Sequence, residues 1–200
     1  MPEVLIARRP LGRRANEALR TFGRMAAVRI TERPLEPMFE LQFAAEDAAT
    51  AAALSAATGL DFTATNRALI AGAITALWLG PGNWLIKPGA EAAAKLAPLE
   101  RVVAVTQSSL VDVSDQWFGA SMQGERCREL LAQGCALDFD PRVFAPDSCA
   151  VTQFARLRAL IHYVDGSPVY HVHVERSYAA YLWAWLIDAM TGIDYEGDTK

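Results

Sequence analysis

Apolar and polar positions alternate with two different periods along this 200-residue chain, and the periods divide it into short elements. Leu11, Ala15, Ala18, Leu19 and Phe22 recur at the spacing of one helical face, with Arg13, Arg14, Glu17, Arg20 and Arg24 on the other. Pro34 and Pro37 break that pattern and mark a linker or edge segment. Phe39, Leu41 and Phe43 alternate as a short strand does. Ala45 to Thr58 predicts an alanine-rich helix, with Glu46 and Asp47 at the positive end of its dipole and Gly59 as its stop. The border between arm and body is expected within 34–60. The expected organisation is therefore a basic arm with the alanine-rich helix over 1–59, a main domain over 60–190 and a tail over 191–200.

From Leu60 onward the period is mostly two. Ala68–Leu79 and Trp84–Ile86 are apolar, β-prone stretches joined by Gly80-Pro81-Gly82-Asn83, which predicts a hairpin. Gly89 to Leu96 predicts a short helix closed off by Pro98. Arg101–Thr106, Leu110–Val113 and Phe118–Met122 predict strands, and Glu125–Gln133 a helix ending at Gly134. Gln153–Val164 and Pro168–Glu175 predict a second hairpin around Asp165-Gly166. The last helix is expected over 178–190, capped by the Ser177 hydroxyl. Strand pairs alternating with single helices imply an α+β domain, with mixed or antiparallel sheets and helices packed on one face.

Composition narrows this further. A chain of this length buries roughly 70% of its unfolded surface, and 52% hydrophobic content supplies a core without disulfides. The longest apolar run, Ala68 to Leu79, falls short of the ~20 residues that span a bilayer. Three cysteines, at spacings that match no zinc pattern, read as reduced thiols of a cytoplasmic protein. Residues 1–33 carry eight arginines against Glu3, Glu17 and Glu32, whereas the whole chain has a net charge of −4. That head lacks lysine and has Phe22 as its sole aromatic, which argues against a nucleic-acid arm. It also lacks serine and carries Glu3, unlike a transit peptide. An amphipathic element docked on an acidic surface, its own or a partner's, fits better.

Candidate chemistry is sparse. His162, His171 and His173 lie on the second hairpin, and an even-length loop would put all three imidazoles on one sheet face, the ligand type of an open zinc site. The same His-Val-His spacing is also simply the polar half of a strand, with Val172 and Val174 facing the core. Gly80-Pro81-Gly82-Asn83 joins strand to strand without a following Lys-Ser/Thr, so it is a turn and not a phosphate loop. No Gly-x-Gly-x-x-Gly fingerprint is present. The serines sit in no nucleophile elbow. Cys135 and Cys149 flank Asp138, Asp140 and Asp147, a setting that raises a thiol pKa. No catalytic residue is therefore expected. In helix 178–190, Tyr178, Tyr181, Leu182, Trp185 and Ala189 make one apolar stripe and Trp183 and Ile187 another. A helix apolar on two sides needs cover on both, which makes Trp183, Trp185 and Ile187, with Arg13, Arg14 and Arg20 of the arm, the interface candidates.

Several of these stretches, taken in order, resemble one family. Gly80-Pro81-Gly82-Asn83-Trp84-Leu85-Ile86 resembles the Gly-Pro-x-x-Trp-Leu hairpin of the gamma subunit of heterotetrameric sarcosine oxidase, and Val111-Asp112-Val113-Ser114 its Asp-Val-Ser strand. Gly134-Cys135-Ala136-Leu137-Asp138-Phe139-Asp140-Pro141, then Phe144 and Cys149-Ala150-Val151-Thr152-Gln153, is similar to its central signature. Arg176-Ser177-Tyr178-Ala179 and Leu182-Trp183-Ala184-Trp185-Leu186 look like its C-terminal helix. The chain departs at Gly124-Glu125, where the family usually has Gly-Pro before the middle helix.

The resemblance implies a fold similar to the folate-binding domain of the glycine-cleavage T-protein. It implies a non-catalytic, structural subunit of a complex that oxidatively demethylates sarcosine to glycine with tetrahydrofolate as acceptor. The partners would be alpha, beta and delta subunits, with no nucleic acid and no membrane. No cofactor would sit in this chain. FAD and FMN would belong mainly to beta, NAD and tetrahydrofolate to alpha, and zinc to delta. The alternatives are a gamma-type subunit of a complex acting on another N-methyl amino acid, or a free-standing folate-binding or aminomethyltransferase-like protein with Asp112 as its motif-placed acid.

Overall fold

A computed structural model describes residues 10–11, 28–89, 92–165 and 167–197. The order of elements is β1 (Arg29–Glu32), β2 (Phe39–Phe43), α1 (Ala48–Thr58), β3 (Ala68–Ala71), β4 (Ile74–Gly80), β5 (Asn83–Lys87), α2 (Ala92–Val103), β6 (Ser108–Asp112), β7 (Trp117–Gln123), α3 (Cys127–Gly134), β8 (Cys149–Phe154), β9 (Leu157–Asp165), β10 (Val169–Glu175), a 3₁₀ turn (Arg176–Tyr178) and α4 (Ala179–Gly197). The strands form two five-stranded sheets, one in the order β1-β7-β10-β9-β8 and the other β3-β4-β5-β2-β6. Every strand pairing in them is antiparallel.

Each sheet buries one face against helices and turns the other toward its companion sheet. On β10, Tyr170, Val172 and Val174 join Phe118, Ala120 and Met122 of β7 in a core with Leu130 and Leu131 of α3 and Leu182, Trp183 and Leu186 of α4. Leu41, Ala76, Trp84 and Ile86 of the second sheet pack with Leu54 of α1 and Leu96 and Leu99 of α2. Between the sheets lie Leu77, Leu79 and Leu85 from one side and Trp117, Cys149 and Leu160 from the other. The expectation of helices on one face thus holds for each sheet separately: the helices flank the pair of sheets from outside. Residues before Leu60 contribute a strand to each sheet, with β2 between β5 and β6 and β1 beside β7.

Local chemistry explains several boundaries. Asp47 is the cap of α1 and not part of its first turn, because its carboxylate accepts from the Thr50 N–H at 2.9 Å. Gly59 ends the helix at φ 75°, where its N–H bonds the Ser55 carbonyl. Ala68–Leu79 is two strands and not one, since Gly72 at φ 58° starts a turn. Gln153–Val164 likewise divides at Ala155-Arg156, which adopt φ 49° and 68° without a glycine to signal it. Pro98 lies inside α2, and Arg101 to Val103 are helical, not strand. Buried Leu96 and Leu99 anchor that helix to its sheet, which offsets the backbone bond that proline cannot donate. Ser177 sits within the 3₁₀ turn and not at a helix cap, and α4 runs on past 190 to Gly197.

Gly134, at the end of α3, is required by packing. A β-carbon there would lie 2.7 Å from Trp185 Cη2 and 2.9 Å from Phe154 Cε2. Those two rings hold each other edge-to-face at 5.0 Å, so neither yields cheaply. Gly134→Ala is expected to lower stability by about 1–3 kcal/mol through overpacking, read by urea denaturation at neutral pH.

Candidate functional site

The polar centre of the molecule lies between the two sheets. Because β10 alternates, sending Tyr170, Val172 and Val174 toward the helices leaves His171 and His173 on the inner face. His171 stands directly opposite His162 of β9, and His173 opposite Leu160. The three imidazoles therefore do share a face, with ring centroids 5.9 Å apart for His162–His171 and 6.4 Å for His171–His173, both pairs edge-to-face. His162 and His173 are buried, His173 completely.

Cations hold this cluster, and sequence reasoning missed them. Arg33 follows β1, and its N–H bonds the Gly119 carbonyl of β7 at 2.8 Å. Gly119 has no side chain, so the Arg33 stem passes over it: a β-carbon there would come within 3.1 Å of Arg33 Cδ and 3.3 Å of His173 Cδ2. Arg33 Nη1 then meets His171 Nε2 at 2.7 Å. A guanidinium only donates, so Nε2 carries the lone pair and His171 is neutral, with its ring proton on Nδ1. Arg33 also donates through Nη2 to Glu36 Oε1 at 2.8 Å, and Lys87 Nζ reaches the same oxygen at 2.9 Å from the end of β5. The only sequence signal for this arrangement is Lys87 itself, a charge directly following the buried run Trp84-Leu85-Ile86.

Electrostatics follow from burial and surplus positive charge. Burial works to raise the Glu36 pKa, but Lys87 and Arg33 together outweigh it and hold the carboxyl below its ordinary value. Burial, then Arg33, lowers the Lys87 pKa despite the bond to Glu36. Burial, then Lys87 and Arg33, pushes His162 down to about 4. The same causes, burial first and then Arg33, push His171 down to about 3, and fully buried His173 lies well below its usual range. His162 Nε2, both ring nitrogens of His173 and Trp117 Nε1 are buried without a hydrogen-bond partner among the described residues. A small, partly open cavity lined by Arg33, Glu36, Ser114, Trp117 and Gly119 among others measures about 10 Å³, room for a single water.

This arrangement suits cohesion between sheets better than turnover. The imidazoles are neutral, and the one carboxylate of the cluster is already shared by two cations. Among the described residues no group of three or more His, Cys, Asp or Glu is placed to hold a metal. Of the other candidates, Cys149 stands opposite His162 on the neighbouring strand and the rest lie apart. Cys127, Cys135 and Cys149 are free, buried thiols, and burial pushes Cys127 and Cys149 up to about 12. Asp112 is spent locally, accepting from the Ser114 N–H at 2.9 Å and its hydroxyl at 2.6 Å. Gly80-Pro81-Gly82-Asn83 is the β4–β5 turn. Trp183, expected to face outward, is 4% exposed and part of the core under α4; Trp185 and Ile187 are half-buried against that core, and the outward aromatics of this segment are Tyr178 and Tyr181. Arg13, Arg14 and Arg20, and the rest of the expected arm helix after Leu11, lie outside the described residues. A shallow groove lined by Arg128, Leu137, Asp138, Phe139 and Pro141 among others runs beside α3.

Comparison with known proteins decides the family. The model of the sarcosine oxidase gamma subunit family matches residues 42–192. The chain belongs to that family. The sarcosine oxidase subunit gamma of Corynebacterium sp. (strain U-96) is 28% identical over 143 residues, 70% of this chain and 68% of that protein. A chain of the heterotetrameric sarcosine oxidase from Corynebacterium sp. U-96, solved with pyrrole 2-carboxylate, superposes with a TM-score of 0.82 at 23% identity, over 93% of this chain and 95% of that one. The glycine cleavage system aminomethyltransferase T from Bartonella henselae superposes at 0.58 with 14% identity, over 89% of this chain and 49% of its own. The α+β fold of two antiparallel sheets is thus that of the gamma subunit family, and it is shared with an aminomethyltransferase. The family match takes in Lys87 and the three histidines, whereas Arg33 and Glu36 precede it.

No helix among the described residues is long and apolar enough to cross a membrane.

Proposed function

We propose that this chain is the gamma subunit of a heterotetrameric oxidase that demethylates sarcosine to glycine in the cytoplasm, with tetrahydrofolate accepting the one-carbon unit. The observation that carries this reading is the superposition on a chain of such an oxidase over nearly the full length of both. In it the chain has a structural role: it packs against alpha, beta and delta subunits, which hold FAD, FMN, NAD, tetrahydrofolate and zinc, and turnover belongs to them. The cation-filled space between the sheets supports a scaffold role. Trp185 and Ile187, half-exposed on α4, and Arg13, Arg14 and Arg20 of the arm are the side chains we assign to contacts with partners. A complex oxidising another N-methyl amino acid would use the same subunit.

Affinity purification of the tagged chain from its native cell is expected to bring down larger subunits with flavin absorbance and sarcosine-dependent turnover, while the chain alone turns over nothing. Recovery of the chain only as a lone monomer would overturn the proposal. The likeness to aminomethyltransferase T favours one second reading, a free-standing folate-binding protein. Calorimetry of the isolated chain with tetrahydrofolate separates the two: no binding heat is expected, since the carboxylate of Asp112 is engaged by Ser114.

A further inference from the structure

The chain passes from one sheet to the other between β1 and β2, through residues 33–38, and that crossing is tied down at both ends. Toward the first sheet, Arg33 Nη1 lies on His171 Nε2 at 2.7 Å. Toward the second, Glu36 is paired with Lys87 of β5 at 2.9 Å. Arg33 itself joins the two ties through Glu36. Beyond Glu36, the Met38 N–H donates to the Ser114 hydroxyl at 3.0 Å. We propose that the Arg33–His171 contact is an acid-released latch that fastens the β1–β2 crossing to the first sheet.

The contact survives only while His171 presents a lone pair at Nε2. A second proton on the ring would set imidazolium N–H against guanidinium N–H at hydrogen-bond distance, a contact with no acceptor. Among the described residues nothing around the ring compensates. From β9 it meets His162, from its own strand His173 and from the crossing Arg33, it feels the charge of Lys87 from β5, and β7 contributes Ser121 opposite it, with no charge there. Cys149 of β8 stands opposite His162 as a buried neutral thiol. Glu175, two residues beyond His173 on the same face, is exposed. Glu36, the nearby carboxylate among the described residues, is held by two cations already. His171 therefore takes a proton by releasing Arg33, and the crossing loses its tie to the first sheet.

Hydrogen exchange of the Arg33 and Met38 amides, followed on the full-length chain as protection factors, tests this. Each amide is bonded across the latch region, to Gly119 and Ser114 respectively. If opening exposes one histidine of ordinary pKa, protection falls about thirtyfold between pH 7.5 and pH 5. In His171→Gln, whose side-chain oxygen accepts from Arg33 without titrating, the same amides are expected to change less than about threefold. Arg33→Met removes the donor instead, and its Met38 amide is expected to be poorly protected at both pH values. The latch is refuted if wild-type protection is unchanged across that range, or if His171→Gln loses it as fully as wild type. Neither result bears on membership of the oxidase complex.

Discussion

Moving the chain from pH 8 to pH 5 is expected to remove about 6 kcal/mol of folding stability, the largest single effect anticipated for this protein. The reason is proton linkage at His162, His171 and His173. In the unfolded chain each imidazole titrates near 6.5. In the fold, burial and the cations Arg33 and Lys87 push His162 to about 4, His171 to about 3 and His173 well below its usual range. Between those limits the unfolded state binds more protons, so stability rises with pH there. The contribution is complete above pH 6.5 and is lost as pH falls toward 4. At pH 5 each group has lost about 2 kcal/mol, and the three together about 6. For a chain of this length that corresponds to a fall in Tm of roughly 10–25 °C. Thermal unfolding at pH 8, 6.5 and 5 checks it, and a flat profile over that range would rule out neutral, buried imidazoles. Because all three groups contribute, substituting one of them should remove about a third of the slope.

The second large effect concerns the carboxylate that two cations share. Glu36→Gln is expected to cost about 3–5 kcal/mol, because it leaves Lys87 buried at the end of β5, and Arg33 beside it, without a counter-charge. Both partners are shielded, with side-chain exposures of 10% for Lys87 and 23% for Glu36, so water compensates little. The reverse substitution should behave differently. Lys87→Met removes the group whose charge burial opposes most, keeps the stem's volume, and leaves Glu36 paired with Arg33. Its cost is expected below about 1 kcal/mol, since replacing a buried ion by an apolar side chain is often neutral. Urea denaturation at pH 8 measures both. Equal losses would mean that the pair is worth its Coulomb attraction alone and that desolvation of Lys87 is unimportant.

The two effects share an origin in how the inner surfaces of the sheets were filled. Leu77, Leu79 and Leu85 meet Trp117, Cys149 and Leu160 to make one apolar patch. Beside it the same gap is closed by histidines, two cations and one carboxylate. A polar filling of this kind adds little net stability, because hydrogen bonds and ion pairs there repay desolvation. It does make the junction sensitive to pH and to single charges, which an apolar junction is not. That places the least tolerant part of the fold where its two sheets meet.

Much of this was legible along the chain, and the legible part is local. Tyr170, Val172 and Val174 alternate with His171 and His173, so strand and face follow from a period of two. His162 reaches that same face only through a bulge: the hairpin closes with Val169 opposite Asp165, an odd loop, and a register shift after Val169 sets His171 opposite His162. The helix stop at Gly59 and the Gly80–Asn83 turn carry their own stereochemical signals. Where such a signal was absent, prediction failed. Ala155-Arg156 turn with positive φ and no glycine, and Pro98 is carried inside a helix because Leu96 and Leu99 are buried against a sheet. Trp183 looked like surface because α4 is apolar on two sides, yet its own sheet and α3 cover it. Arg33, Glu36 and Lys87 had no shared pattern, since Lys87 is 51 positions from Glu36 and reaches it only after two sheets have packed. Sequence alone thus determined the faces of the strands and several helix stops and turns, because periodicity and turn chemistry act between near neighbours, and its ordered motifs carried the resemblance to the family. The tertiary structure decided which charges are buried together and which tryptophan is inside, because desolvation and charge pairing depend on distance in space.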